Sequence, residues 1–186
     1  MEISVIGSGH IGRSIGSRLE ASGHTVTYGS RHPGGGTVAI ADAIDASSAV
    51  VVAIPGDAVE GFVADNASGL AGKLVIDATN RMGGPVANSA DLYRAAAPTA
   101  RYARAFNSLG WENFADPQYD DGPADLFFAA APDDRSVVED VISGVGLRPV
   151  YAGEDPTVVD AVGRLWMTLA MGQGRGRAIA FRLLER

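Results

Sequence analysis

The sequence predicts an α/β fold built around a doubly wound, parallel β-sheet. Short apolar runs alternate with segments of helical period, which is the pattern of buried parallel strands connected by helices. The apolar runs are Ile3–Ile6, Thr25–Gly29, Ala49–Ile54, Lys73–Asp77, Arg101–Phe106, Asp125–Ala130 and Leu147–Tyr151. The predicted helices between them are Ile11–Ala21, Asp57–Asn66, Ala90–Ala97 and Arg135–Ser143. A glycine motif joins the first strand to the first helix and supports the same fold class.

The chain from Pro156 to Glu185 has a different pattern, in which no strand is evident. Its apolar residues recur at the i, i+3, i+4 and i+7 spacing of a helix. They are Val158, Val159, Val162, Leu165, Trp166, Leu169 and Ala170. Three glycines, at positions 172, 174 and 176, interrupt this pattern before a second helical stretch, Arg177–Leu184. We therefore predict two terminal helices that dock on the sheet or on a second subunit.

Composition excludes several classes of function. The 186 residues contain no cysteine, which rules out disulfides, thiolate metal sites and cysteine nucleophiles. The formal net charge of −7, without a long basic tract, argues against a nucleic-acid partner. No apolar run reaches the roughly 18 residues that a membrane span needs, and no signal peptide is evident. We expect a cytoplasmic protein with a small-molecule substrate and with neither a membrane nor a nucleic-acid partner.

The segment Gly7-Ser8-Gly9-His10-Ile11-Gly12 is a G-x-G-x-x-G motif placed between a predicted strand and a predicted helix. In that context the motif indicates dinucleotide binding on a Rossmann βαβ unit. The first glycine permits a tight turn, Gly9 lets the backbone approach a pyrophosphate, and Gly12 lets helix and strand pack closely. The alternative interpretation is a structural strand-to-helix turn. The motif makes residues 1–152 a Rossmann domain and residues 153–186 a helical appendage that forms a substrate cleft or a dimer contact.

The end of the second strand favours NADP(H) over NAD(H). An NAD-specific domain usually has an acidic residue there to bind the ribose 2′-hydroxyl. This chain has no carboxylate between Glu20 and Asp42, and Ser30 and Arg31 stand at the strand end instead. A guanidinium and a hydroxyl suit a 2′-phosphate, and we expect Ser8 and His32 to assist. The alternative is a solvated surface arginine beside an ordinary turn.

Two further strand ends are expected to reach the nicotinamide half of the cofactor, because ligands of doubly wound sheets bind at the carboxyl ends of the strands. The residues that we assign to this role are Ile54, Pro55, Ala78, Thr79 and Asn80. The alternative, which fits the sequence equally well, is that the polar residues at the second of these strand ends form hydrogen bonds only with backbone groups of their own loop.

Taken together, these motifs resemble the NADPH-dependent reductases of coenzyme F-420, a deazaflavin. The resemblance rests on the motifs above and on three later segments, Ala105–Phe114, Gly146–Gly153 and Gly172-Gln173-Gly174. It implies that Ser8, Ser30 and Arg31 bind the 2′-phosphate and that the deazaflavin stacks on the nicotinamide. The sequence departs from the family pattern in its short segment after Arg31 and in lacking a histidine near Asn107, which the archaeal enzymes have.

The substrate-side candidates are Asn107, Trp111, Arg81 and Met167. Trp111 either stacks on a flat substrate ring or anchors its loop. Met167 and its neighbour Trp166 are more typical of a hydrophobic core or a dimer interface than of a substrate site. We assign no catalytic side chain, because hydride transfer between two stacked heterocycles needs little acid–base help. The three histidines are not spaced as metal ligands, so we predict no metal site.

The predicted function is therefore hydride transfer between NADP(H) and F-420, FMN or a similar flavin-like acceptor. One alternative is a reductase of a small carbonyl or imine, which needs a proton donor. Another is an NADP(H)-binding sensor or scaffold without catalysis. The apolar residues of the terminal helices also predict a homodimer.

Overall fold

The computed structural model describes all residues, Met1–Arg186. Its ten strands are β1 (Glu2–Ile6), β2 (Thr25–Ser30), β3 (Val38–Ala39), β4 (Ala49–Val52), β5 (Leu74–Asp77), β6 (Arg101–Arg104), β7 (Gln118–Tyr119), β8 (Gly122–Pro123), β9 (Asp125–Ala130) and β10 (Arg148–Tyr151). Eight of them form one sheet in the order β10-β9-β6-β5-β4-β1-β2-β3, and β7 and β8 form a separate hairpin.

The strand order creates a crevice above β1. The chain leaves β1 for β2 and β3 on one side, then crosses to β4, β5 and β6 on the other. Strand β1 pairs in parallel with both β2 and β4, with Ile6 opposite Gly29 and Val52. Where the strand order reverses in this way, the connections diverge and leave a ligand-binding crevice at the carboxyl ends of the strands. The predicted Rossmann fold is confirmed.

Seven helices cover the two faces of the sheet. They are α1 (His10–Ala21), α2 (Ile40–Asp45), α3 (Val59–Asn66), α4 (Ala90–Ala96), α5 (Trp111–Ala115), α6 (Arg135–Val145) and α7 (Pro156–Met167). Helices α1, α5, α6 and α7 bury their apolar residues on one face, and α2, α3 and α4 do so on the other. Alternate residues of the central strands point to opposite faces, so Val51 belongs to the first core and Val50 to the second.

The sheet is parallel except at one pair of strands, β6 and β9, which are antiparallel. The predicted parallel sheet is therefore mostly parallel, with one antiparallel pair. Between β6 and β9 the only helix is α5, and its five residues span about 7.5 Å. A helix this short does not carry the chain back along the sheet, so β9 starts near the end where β6 stops.

The C-terminal prediction is half right, because the appendage has one helix and not two. Helix α7 continues into a π-helical turn, Thr168–Gly172, but Arg177–Leu184 is not helical. Its backbone groups are used elsewhere: Trp166 donates from Nε1 to the Ile179 carbonyl at 2.8 Å, and Phe181 pairs with Asp125 in an isolated bridge. These tertiary hydrogen bonds compete successfully with the local helical preference.

No helix in the chain combines the length and the apolar character that crossing a lipid bilayer requires.

Candidate NADP(H) site

The loop from Gly7 to Gly9 connects β1 to α1, and its shape requires glycine once within the loop and once in the first turn of α1. Gly7 has φ +109°, and a Cβ atom there would lie 2.3 Å from the carbonyl oxygen of Ala53. A Cβ atom on Gly12 would lie 1.9 Å from the carbonyl oxygen of Gly7. Gly9 has open space around its Cβ position. Gly7 therefore forms the turn, Gly12 lets helix α1 pack closely beneath it, and Gly9 leaves the approach to it free.

Helix α1 begins at His10 with its first backbone N–H groups free of any capping side chain. These groups have no partner within the helix, and together with the helix dipole they attract an anion. The arrangement is the one that the sequence motif predicts for a pyrophosphate.

A cavity of about 480 Å³ opens beside this helix end and lies between the glycine loop, the end of β2 and helix α3. Eight of the fourteen residues predicted to contact the cofactor line it. They are Gly7, Ser8, Gly9, Ser30, Arg31, His32, Ile54 and Pro55. These eight residues come from the glycine loop and from the ends of β2 and β4, which the fold brings together at the switch point.

At the end of β2 the side chains suit a phosphate. Ser30 Oγ and the backbone of His32 hydrogen-bond each other at 3.2 Å, which fixes the turn. Arg31 between them is exposed and pairs with no acidic side chain. Its guanidinium is free to bind an anion in the cavity. An Arg at this point offers a planar fork of donors, which matches phosphate oxygens.

Sequence reasoning missed the wall of this cavity that helix α3 provides. Ala58, Gly61, Phe62 and Asp65 line it at the i, i+3, i+4 and i+7 spacing of one helix face, and Ile40 of α2 lies in the lining as well. The sequence did indicate this wall, because two small residues follow β4 at helical spacing and leave a space that larger side chains would fill.

Six predicted cofactor residues lie outside the lining of this cavity. The His10 ring stacks on the Trp111 ring, with 4.9 Å between ring centroids, and Ile11 packs against the apolar core. Gly12 lies under the loop, as described above. Ala78 and Thr79 are buried, and the Thr79 hydroxyl donates to Asp77 Oδ1 at 2.6 Å. Asn80 lines a neighbouring cavity of about 440 Å³.

A cluster of three fully buried charged residues lies behind these strand ends. Arg104 on β6 places its guanidinium 3.3 Å from an Asp77 carboxylate oxygen and 3.0 Å from an Asp160 carboxylate oxygen. Asp77 ends β5 and Asp160 belongs to α7, so the Asp77–Arg104–Asp160 cluster joins the sheet to the C-terminal helix. Removing one partner of such a buried set leaves an uncompensated charge, which is strongly destabilising.

Both carboxyl groups of the cluster accept several hydrogen bonds. Asp160 Oδ2 accepts from the Ala87 and Asn88 amides and from Asn88 Nδ2, at 2.7 to 3.0 Å. Asp77 Oδ2 accepts from the Tyr102 hydroxyl at 2.6 Å. Burial, together with the neighbouring Asp77 carboxylate, raises the pKa of Tyr102 well above its usual value. This tyrosine therefore stays protonated as a donor.

The cluster also positions two asparagines. Asn80 accepts from Arg104 at 3.0 Å through Oδ1 and donates to the Asn107 carbonyl at 3.1 Å through Nδ2. The residue before Asn107, Phe106, has φ +62° and is the only non-glycine residue with a positive φ. Asn107 itself is buried against α7, and its Oδ1 atom has no hydrogen-bond partner. Such strain and an unpartnered polar atom are concentrated in functional regions of proteins.

The four substrate-side candidates do not share one pocket. Arg81 lines the cavity that contains Asn80 and forms an ion pair with Asp91 at 2.7 Å. Trp111 stacks on His10, which favours the loop-anchor interpretation. Met167 packs on the apolar core from its partly buried position on α7. Asn107 contacts none of the other three through a hydrogen bond, and its carbonyl accepts from Asn80, a predicted cofactor residue.

Comparisons with solved structures agree with this fold. A protein from Arthrobacter sp. FB24, described as a candidate F-420-dependent NADP reductase, superposes with a TM-score of 0.83 at 22% identity, over 100% of both chains. A hypothetical protein from Sinorhizobium meliloti superposes with a TM-score of 0.70 at 25% identity, over 100% of this chain and 96% of the other.

A reductive aminase from Aspergillus terreus, solved with NADPH and ethyl levulinate, gives a TM-score of 0.75 at 21% identity. The match covers 93% of this chain and 62% of the aminase, so this chain spans about three-fifths of that enzyme. No curated protein sequence matches the chain.

A family match lies in the part of the chain that contains the glycine loop and the NADP(H) cavity. Residues 2–81 match the family described as NADP oxidoreductase, coenzyme F-420-dependent. The resemblance seen in the motifs is thereby confirmed. Over these residues, which make up less than half of the chain, the sequence matches a family of F-420-dependent NADP oxidoreductases.

Proposed function

We propose that this oxidoreductase transfers a hydride between NADP(H) and a deazaflavin or flavin-like acceptor, with F-420 or FMN as the co-substrate. In this proposal the glycine loop and the first turn of α1 bind the pyrophosphate, and Ser30 and Arg31 bind the 2′-phosphate. The nicotinamide half then lies at the carboxyl ends of β4 and β5, near Pro55 and Asn80. The bound nicotinamide supplies the hydride, and the protein supplies binding, orientation and exclusion of water.

The observation that carries the choice of acceptor is that no lysine or tyrosine lines either the NADP(H) cavity or the neighbouring cavity that contains Asn80. Lys73, the only lysine, precedes β5 at the opposite end of the sheet and donates to the Ser47 carbonyl. Tyr102 donates to the buried Asp77. Reduction of a carbonyl or an imine needs a positioned acid, whereas hydride transfer between two stacked rings does not. The local chemistry therefore favours a heterocyclic acceptor.

A reductase of small imines is the second candidate, favoured by the similarity of fold to the reductive aminase. Against it stand the absence of a lysine or tyrosine from both cavities and the shorter length of this chain. A sensor without catalysis is the third. It is favoured by the close packing of α7, where a Cβ atom on Gly163 would lie 3.0 Å from Asn107 Nδ2. That contact leaves little room for a substrate between α7 and the loop after β6.

The test is NADPH oxidation by the purified chain, followed at the nicotinamide absorbance, with F-420, FMN and a cyclic imine offered separately. Turnover with F-420 or FMN is the expected result. Turnover with the imine alone would contradict the choice of acceptor and favour the second candidate. Tight NADPH binding without turnover on any acceptor would favour the sensor.

The homodimer remains a proposal. Helix α7 and the turn that follows it expose three large apolar side chains, Val158, Leu165 and Met171. Pairing of this face between two copies would remove them from water. Light scattering with the variant Leu165→Glu tests it, because a charge in the pair interface would shift the expected dimer to a monomer.

A further inference from the structure

The NADP(H) cavity extends beyond the phosphate-binding residues along helix α3. If Ser30 and Arg31 bind the 2′-phosphate, as the proposed function requires, the base attached to that same ribose is adenine. It then lies in the remaining part of the cavity, against α3. Ile40, Ile54 and Phe62 give this part apolar walls. Gly61 has no atom within 4 Å of its Cβ position, so the helix surface leaves space for a flat ring.

Polar groups divide this cavity into two kinds of wall. The loops after β1 and β2 contribute the side-chain donors Ser8, Ser30, Arg31 and His32. The α3 wall contributes only Asp57, Asp65 and Asn66. The Nδ2 atom of Asn66 donates to the Phe62 carbonyl at 2.8 Å, so its Oδ1 is the group left for a ligand. This wall therefore offers acceptors to a base and repels phosphate.

Asp65 has no structural reason to be acidic. It is exposed and forms no ion pair within the chain. It also lies in the last turn of α3, which ends at Asn66 without a basic residue. A carboxylate near a helix C-terminus is destabilising, because the helix dipole is negative there. A residue that costs stability, has no partner and lines the cavity is best explained by a ligand.

We propose that Asp65 selects adenine, its carboxylate accepting a hydrogen bond from the exocyclic amino group of the base. Hypoxanthine has a carbonyl oxygen at that position, and this oxygen repels a carboxylate. A site with an unmatched polar group discriminates strongly against the analogue, because the group is then left without its hydrogen bond. The same acidic wall fixes the direction of the dinucleotide, with its phosphates at the glycine loop and its base at α3.

The test compares the dissociation constants of NADPH and its hypoxanthine analogue on the full chain, measured by calorimetry. We expect the native chain to prefer NADPH by about tenfold, the factor that corresponds to roughly 1.4 kcal/mol. In Asp65→Asn the side-chain amide can donate to the hypoxanthine oxygen, so the analogue should bind more tightly and the preference should fall towards one. The matched control is Asp120→Asn, which makes the same change of charge in the β7–β8 turn and should keep the native ratio.

Equal binding of the two nucleotides by the native chain would overturn the role of Asp65, as would an unchanged ratio in Asp65→Asn. In both cases the NADP(H) site itself would stand. Failure of NADPH to bind, or equal binding of NADPH and NADH, would instead refute the proposed 2′-phosphate site, and the inference would fail with it. Circular dichroism of both variants checks that the fold is intact.

Discussion

The assignment of Arg31 to the 2′-phosphate leads to a quantitative prediction for Arg31→Ala. Arg31 is exposed, and the hydrogen bonds of its turn run between Ser30 and His32. Its truncation therefore leaves no orphaned group in the protein. The loss falls on the ligand alone, at about 1.5–3 kcal/mol, the range for a hydrogen bond to a charged group. The NADPH dissociation constant should rise by about 10- to 150-fold.

The assay is calorimetric titration of the native chain and the variant with NADPH and with NADH. NADH lacks the 2′-phosphate, so its affinity should be nearly unchanged, and the ratio between the two nucleotides carries the result. The matched control is Arg94→Ala, which removes an exposed arginine from α4, on the same face of the sheet as α3. Equal weakening of NADPH and NADH by Arg31→Ala would refute the assignment.

Three further predictions test the loop, the buried cluster and the terminal helix. Gly9→Val should abolish NADPH binding without lowering the urea midpoint, whereas Gly12→Ala should lower both, because its Cβ collides with the Gly7 carbonyl. Arg104→Met should reduce the free energy of unfolding, measured by urea denaturation, by about 3–5 kcal/mol, because two buried carboxylates lose their counter-charge. A reduction of less than about 1 kcal/mol would contradict this prediction. Hydrogen bonds from Thr157 lower the pKa of Asp155, the N-cap residue of α7. The Asp155 carboxylate should therefore stabilise the fold at pH values above its pKa in the unfolded chain. That stabilisation should be lost as the pH falls through its lower pKa in the folded chain. The urea midpoint of Asp155→Ala should therefore lie below the native value at neutral pH, with a gap that closes in acid.

Much of the fold follows from the sequence, because buried strands and amphipathic helices have local periodicity. Strand β9 begins and ends at the predicted residues, and α1 begins one residue before its prediction. Elements without a long periodic run were missed, as the two-residue strand β3 and the six-residue helix α2 illustrate. Arg177–Leu184 was wrongly predicted as a helix because contacts with Trp166 and β9 outweigh its local propensity.

The candidate site was predictable where it depends on backbone shape and a single strand end. The glycine loop and the Ser30-Arg31 turn meet in one cavity because they end adjacent parallel strands. The Asp77–Arg104–Asp160 cluster was not predictable, since its members lie up to 83 residues apart and only the tertiary fold pairs them. No local sequence pattern indicates which distant residues will form such a cluster.

The central claim, hydride transfer from bound NADPH to a ring acceptor, is tested most directly by isotope transfer. NADPH deuterated at the transferring C4 position is mixed with the chain and F-420, and the reduced deazaflavin is examined by mass spectrometry. The C5 carbon of a deazaflavin retains the label, because a carbon-bound deuterium does not exchange with water. We predict one deuterium in the reduced acceptor. Oxidation of NADPH without label in the acceptor, or no oxidation with either F-420 or FMN, would contradict the account.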